Sequence, residues 1–284
     1  EPTGRGLSSF NGNGFTIDTS NGDHVGQGNI NVSNNSYVAW CWKAGGAASS
    51  NTDGTITSQV SANQAKGFSI VSYTGTGANA SVGHGLNAAP SMVIVKRRDD
   101  VNNWRVGHDG LTDWSYRMNL ESTDASSQQA SVWNSTAPTS SVFSIGTSSS
   151  VNISSGTFIA YCWSEVAGFS KFGSYSGTGS NHTINCGFKP AWVMIKCTTT
   201  SGEEWMIFDS ARNPSNPRDK FLKADSSNAE ATYQQRYIHF EDNGFSFPGS
   251  TGQEPINLSG RSYIYMAIAK DIGNHFDVNN LTAS

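Results

Sequence analysis

The sequence predicts an all-β protein: tandem antiparallel β-sandwich modules of about 100 residues each, preceded by an N-terminal half-module. Three observations carry that expectation. Gly, Ser, Asn and Thr are abundant, while apolar residues make up only 36% and charged residues 14% of the chain. Short β-branched or aromatic runs are bounded by Gly, Asn or Pro, as strands are. Long stretches of the chain also repeat one another.

Composition sets the first limits. At 284 residues the chain has room for two ordinary domains, each with its own core. Helices need Ala, Leu, Glu and Lys on their faces, whereas a polar, uncharged mix suits short strands joined by many turns. Eight Trp, nine Tyr and fourteen Phe supply the core. Eighteen Lys and Arg against 22 Asp and Glu give a net charge of −4, which argues against a nucleic-acid partner. The one basic run, Lys96-Arg97-Arg98, reads as a solvated strand edge. No stretch approaches the roughly 18–20 apolar residues of a membrane span, so no membrane insertion is expected. The segment starting at Glu1 has neither the basic start nor the apolar run of a signal peptide.

The repeats define the domains. Gly67-Phe68-Ser69 and Ser72-Tyr73-Thr74-Gly75-Thr76-Gly77 recur as Gly168-Phe169-Ser170 and Ser174-Tyr175-Ser176-Gly177-Thr178-Gly179. Pro90–Lys96 matches Pro190–Lys196, Trp104–His108 matches Trp205–Asp209, and Phe143-Ser144-Ile145 matches Phe245-Ser246-Phe247. Both copies close on an apolar strand, Phe158–Trp163 and Tyr263–Ile268. A third closing strand comes first in the chain: Asn31–Trp42 aligns without gaps to Asn152–Trp163, with Phe15-Thr16-Ile17 in the place of Phe143–Ile145. The boundaries are therefore a half-module over 1–46, a linker or edge strand over 47–66, full modules over 67–166 and 167–270, and a C-terminal arm over 271–284. A half-module leaves the Trp40/Trp42 face and a sheet edge uncovered, so a neighbouring subunit or upstream sequence is expected to complete it.

Within the first full module, strands are predicted near Phe68–Tyr73, Ala80–Val82, Ser91–Lys96, Trp104–His108, Arg117–Leu120, Val132–Trp133, Val142–Ile145 and Thr157–Trp163. Met92-Val93-Ile94-Val95 and Phe158–Trp163 are apolar on both faces and fit central strands. Helix is expected only as a turn at Asp225–Ala231 and over Ala125–Ala130.

Few residues suggest chemistry. Cys41 and Cys162 occupy equivalent strand positions and read as small buried hydrophobes, whereas Cys186 and Cys197 are spaced so that a bridge across a hairpin stays open. His84 lies between glycines and reads as a turn residue; His108-Asp109 reads as a strand end, because no nucleophile accompanies it. Asp18–Asp23 is oxygen-rich but lacks the glycine and closing glutamate of a calcium loop. Glu203-Glu204 and Glu241-Asp242 are neighbours that read as solvated turn charges, not as a carboxylate pair across a cleft. No metal or cofactor is expected, and no enzymatic activity. Trp104 and Trp205 occupy equivalent positions and read as core. Trp114, Tyr116, Trp133 and Asn134 lie in segments peculiar to the first copy; as exposed aromatics beside polar groups they are the candidate glycan-stacking residues.

Tyr37–Gly46, Gly67–Gly77, Val82–Leu86, Ala191–Lys196, Phe208–Pro214 and Tyr263–Ala267 together resemble a repeated domain of bacteriophage virion proteins, many from marine and freshwater phages. The resemblance covers nearly all of residues 4–270. It implies a structural virion protein located in the extracellular particle, tail-fibre-like, and it transfers no catalytic or binding residue. The leading expectation is a tail-fibre or receptor-binding adhesin recognising host-surface glycans, assembled with other virion proteins and as a homo-oligomer, with a trimer favoured. The alternative is a capsid-decorating or other appendage protein without a receptor role; a polysaccharide-degrading enzyme ranks below both.

Overall fold

The computed structural model describes residues 7–12, 14–17, 30, 33–232, 236–249, 255–270 and 276–282, the last of these by backbone alone. The half-module contributes strands β1 (Leu7–Asn11), β2 (Gly14–Ile17) and β3 (Ser36–Trp42). Module 1 contributes β4 (Ser49–Asn51), β5 (Ser58–Asn63), β6 (Phe68–Thr74), β7 (Ala80–Gly83), β8 (Met92–Arg97), β9 (Arg105–His108), β10 (Tyr116–Asn119), β11 (Ser127–Gln128), β12 (Val142–Ile145) and β13 (Thr157–Trp163). Module 2 contributes β14 (Ser170–Ser176), β15 (His182–Asn185), β16 (Pro190–Cys197), β17 (Met206–Asp209), β18 (Lys220–Lys223), β19 (Ala231–Thr232), β20 (His239–Glu241), β21 (Gly244–Phe247) and β22 (Ser262–Ala269). A last strand, β23 (Phe276–Thr282), follows.

Both full modules are antiparallel sandwiches of one large and one small sheet. The large sheet of module 1 runs β11-β10-β9-β8-β13-β6-β5-β4, and β7-β12 forms its small sheet. Module 2 repeats the plan with β14-β22-β16-β17-β18-β19 and β15-β21-β20. In each, the closing strand lies between the strand that opens the repeat and the strand led by the repeat's proline: β13 between β6 and β8, β22 between β14 and β16. That central position is why the closing strands are apolar on both faces.

Alternation divides the two faces. Phe158, Ala160 and Cys162 of β13 join Val71, Val93, Val95, Phe143 and Trp133 in the core of module 1. Tyr161 and Trp163 point the other way, into a second core shared between modules. There Phe68, Met92, Ile94 and Trp163 of module 1 meet Phe172, Trp192, Met194, Ile264, Met266 and Ile268 of module 2, with Trp40 and Trp42 of the half-module packed against them. Trp42 stands edge-on to Trp163 at 6.2 Å and to Trp192, beside the closing strand of module 2, at 5.6 Å, so the half-module and both full modules meet at one aromatic junction.

Identical locks hold the repeated Gly-Thr-Gly turns. The Thr76 N–H donates to Asn152 Oδ1 at 2.7 Å, and Asn152 Nδ2 donates to the Ala78 carbonyl at 2.5 Å. In module 2, Thr178 N–H donates to Asn257 Oδ1 at 3.0 Å and Asn257 Nδ2 to Ser180 O at 2.8 Å. Gly77 and Gly179 follow with φ of 78° and 65°, a left-handed backbone that glycine adopts at least cost. Beside each turn a tyrosine hydroxyl donates to a carbonyl: Tyr73 to Val151 at 2.7 Å and Tyr175 to Ile256 at 2.5 Å.

Several elements differ from expectation. Of the two readings of residues 47–66 the structure has the edge strand: β4 and β5 extend the large sheet of module 1 through β6. Val132 and Trp133 form no strand but end a helical turn, α1 (Ala130–Trp133), which stops at Asn134 with φ 52°. Adjacent strand residues face opposite sides, whereas this turn buries both side chains in one core. Helix over Ala125–Ala130 is replaced by β11, and Asp225–Ala231 forms no helix; a second helical turn, α2 (Ser149–Asn152), precedes β13.

The arm supplies the largest difference. Residues 276–282, which match no other segment obviously, form β23 and pair with β3 of the half-module. The register reproduces that of a full module. Phe276 lies opposite Trp42 and Thr282 opposite Ser36, as Phe68 lies opposite Trp163 and Thr74 opposite Thr157. The C-terminal end of the chain thus takes the place of a first strand against the N-terminal closing strand.

Candidate functional site

The residues with chemical potential are spent on joining parts of the fold. His108, at the end of β9, is buried, and its Nε2 lies 3.1 Å from the Tyr265 carbonyl of module 2. Its Nδ1 accepts the Gly110 N–H at 2.8 Å, so the ring is the neutral Nε2–H tautomer. Burial lowers its pKa to about 4, against the opposing effect of the carbonyl bond. His84 is held the same way, with Nε2 3.1 Å from Thr139 O and Nδ1 accepting from Leu86 N–H at 3.2 Å; burial again depresses its pKa. Both nitrogens of each ring are thus engaged by backbone groups. Asp109 accepts from Trp114 Nε1 at 3.1 Å, and burial raises its pKa.

The position equivalent to His108 is Asp209, and it also reaches a neighbouring closing strand. Trp40 Nε1 donates to Asp209 Oδ2 at 3.3 Å. The same oxygen receives Arg212 Nε at 2.5 Å in an ion pair that is almost wholly buried, and the guanidinium sits 5.8 Å from the Trp40 ring. Arg212 further donates to Glu230 at 3.1 Å and to the Ile207 carbonyl at 3.0 Å. Sequence reading missed this cluster; the only available signal was the Asp209/Arg212 spacing after a strand end, since the Trp40 partner is 169 residues away.

The adjacent carboxylates are not solvated turn charges at 203 and 204. Glu203 pairs with Arg261 and Glu204 with Lys223 at 2.6 Å, all four partly buried. Glu241 accepts from Ser246, and Asp242 forms an exposed pair with Lys189. In the basic run, Arg97 pairs with Asp99 at 2.7 Å, while Lys96 Nζ turns inward to the Asn102 carbonyl.

The candidate stacking residues are brought together, but inside the protein. Trp114 and Trp133 are both buried and stand edge-on at 5.7 Å, over Gly107, where a Cβ would run into both rings. They are core residues of module 1 and not a sugar platform. Tyr116 is half-buried in β10, and Asn134 is exposed as the left-handed end of α1. Trp205 is core as expected, whereas Trp104 is only half-buried. Cys41, Cys162, Cys186 and Cys197 form no disulfide; Cys186 follows β15 of the small sheet and Cys197 ends β16 of the large one, so no hairpin joins them. Burial pushes the Cys186 thiol up to about 12. The oxygen-rich segment over 18–23 lies outside the described residues, and among the described residues no cluster of His, Cys, Asp and Glu could hold a metal.

A groove of about 270 Å³ lies at the other edge of module 1, over β4 and β5. Ser49, Ser50, Asn51 and Gln64 line it with neutral hydroxyls and amides, and Gly45, Ala62 and Gly85 keep its floor low. Asn51 is preorganised by Asp53, whose N–H donates to Asn51 Oδ1 at 3.0 Å. Gln64 Nε2 is fixed on the Gly85 carbonyl at 2.9 Å. A groove of this lining can hydrogen-bond a neutral polyhydroxylated ligand but brings no titratable group to it.

Fold and site together define an all-β protein of tandem sandwich modules joined through aromatic and charged side chains. The chain belongs to the family described as domain of unknown function (DUF7483), whose model matches residues 1–271. No curated protein and no solved structure matches it.

Proposed function

We propose that this chain is a structural virion protein, a tail-fibre or receptor-binding segment that holds a host-surface glycan in the neutral groove over β4 and β5. The observation that carries the structural part is the use of His108, Asp209 and Arg212 as ties between modules. Groups of these types perform catalysis when they face substrate; here they face carbonyls, an indole and one another. Convergence of the half-module and both full modules on one aromatic junction makes a stiff body, as an appendage requires. The glycan part rests on the groove's hydroxyl and amide lining and on the virion-protein resemblance of the repeats.

The test is a glycan array probed with the purified chain and with Ser50→Arg, which places a long cation in the groove. Binding by the wild type and its loss in the variant support the reading. Failure to bind any glycan favours the capsid-decorating role. Release of reducing sugar from a polysaccharide, abolished by one carboxylate substitution, would replace both with an enzyme.

A further inference from the structure

The modules follow one another by a repeated contact. The β9–β10 region of module 1 lies on the junction face of module 2. His108 reaches Tyr265 O, the Trp205 indole donates to Asn119 O at 2.9 Å, and Lys196 Nζ donates to Thr123 O at 3.1 Å. Under that cover Phe172, Trp205, Ile264 and Met266 are buried, Trp205 at 1% and Met266 at 2% exposure. One step on, the strand end of module 2 lies on the half-module in the same way, through Asp209 and Arg212 against Trp40. A third step would return to module 1. Its equivalent residues are Ile70, Trp104, Ile159 and Tyr161, and all four are only half-buried. Among the described residues, Trp104 and Lys96 receive no carbonyl from a neighbouring module of the kind that Trp205 and Lys196 receive.

An independent observation points to the same gap. The β1–β2 hairpin matches β20–β21 in register, with Phe10 opposite Phe15 as Phe240 is opposite Phe245. Phe240 is 1% exposed within the core of module 2, whereas Phe10 is 84% exposed. What covers Phe240 is the first half of its own module, where the Arg218 guanidinium sits 5.0 Å from its ring.

We propose that a third module is completed by a partner segment carrying the equivalents of β7 to β10. It covers Phe10 with its inner face and Ile70, Trp104, Ile159 and Tyr161 of module 1 with its strand end. Because β23 already occupies the place of β6, three modules then close into a ring through the pairing of β3 with β23. The occupant has a stated chemistry: an apolar strand following a proline, then a hairpin that presents two carbonyls, one to the Trp104 indole and one to Lys96. Neither hairpin of a second copy is free to serve, since each is already bound to its own next module.

The probe is a polypeptide of residues 78–126, the corresponding half of module 1, added to the purified chain. The expected result is a saturable one-to-one complex in which acrylamide quenching of Trp104 falls and hydrogen exchange slows in β1–β2 and β13. Phe10→Ser and Tyr161→Arg should each weaken it by at least about tenfold. Phe10 lies in solvent, so its variant tests the contact without unsettling the fold. Absence of binding, or binding indifferent to both substitutions, overturns the proposal. So does self-association of the chain alone that both substitutions abolish, because a second copy would then be the cover.

Discussion

His108 of module 1 donates its Nε2–H to the Tyr265 carbonyl of module 2, and its other ring nitrogen is occupied by the Gly110 N–H. The bond is local to neither module; it is one of the ties that set how they pack. Protonation would place a second N–H against the Gly110 N–H, in a site without solvent.

The pH dependence follows from that geometry. The folded pKa, about 4, lies below the ordinary histidine value near 6.5. The unfolded chain therefore binds more protons between these values, and stability rises with pH across that window. The contribution is complete above about pH 6.5 and lost as pH falls through 4, amounting to roughly 3 kcal/mol. Urea unfolding from pH 4 to 7 should show this slope, and His108→Gln should flatten most of it. His84 adds a smaller slope of the same sign.

Asp209→Asn should destabilise by about 3–5 kcal/mol, because it strands the buried Arg212 cation opposite a neutral amide. Trp40 fluorescence should shift in the same variant, since its indole loses a charged acceptor. Chemical denaturation followed at the tryptophan emission maximum measures both.

Asn257→Ala should cost about 1–3 kcal/mol by leaving the Thr178 N–H and Ser180 carbonyl without their partner. Asn152→Ala should do the same in module 1. Similar losses in calorimetry would confirm that the two side chains perform one structural task.

Trp114→Ala should lose about 3–5 kcal/mol of stability through the cavity it leaves against Trp133. Glycan binding, measured on the same sample, should be unchanged. A variant that kept its melting temperature and lost the ligand would return Trp114 to a surface role.

Much of this fold was legible in the sequence because repetition is independent of packing. The closing strands, the proline-led strands and the Gly-Thr-Gly turns are found where the repeats place them. What escaped depended on three-dimensional neighbours. Trp114 and Trp133 sit beside Asp113, Ser115 and Asn134, so the local text reads as surface; Gly107 makes room beneath them and the α1 turn rotates Trp133 inward. β23 shares with β6 little more than a phenylalanine at one end and a threonine at the other, and only its register against β3 reveals the equivalence. The tie between Asp209 and Trp40 spans most of the chain and leaves no local pattern.

Closure of the chain by β23 is the most direct point of attack. Hydrogen exchange at the Tyr37, Ala39 and Cys41 amides, which by the shared register are the ones directed at β23, should be compared between the full chain and one ending at residue 275. Faster exchange in β3 on truncation, with β13 and β22 still protected, is the result this account predicts. Unchanged protection of β3 would contradict it.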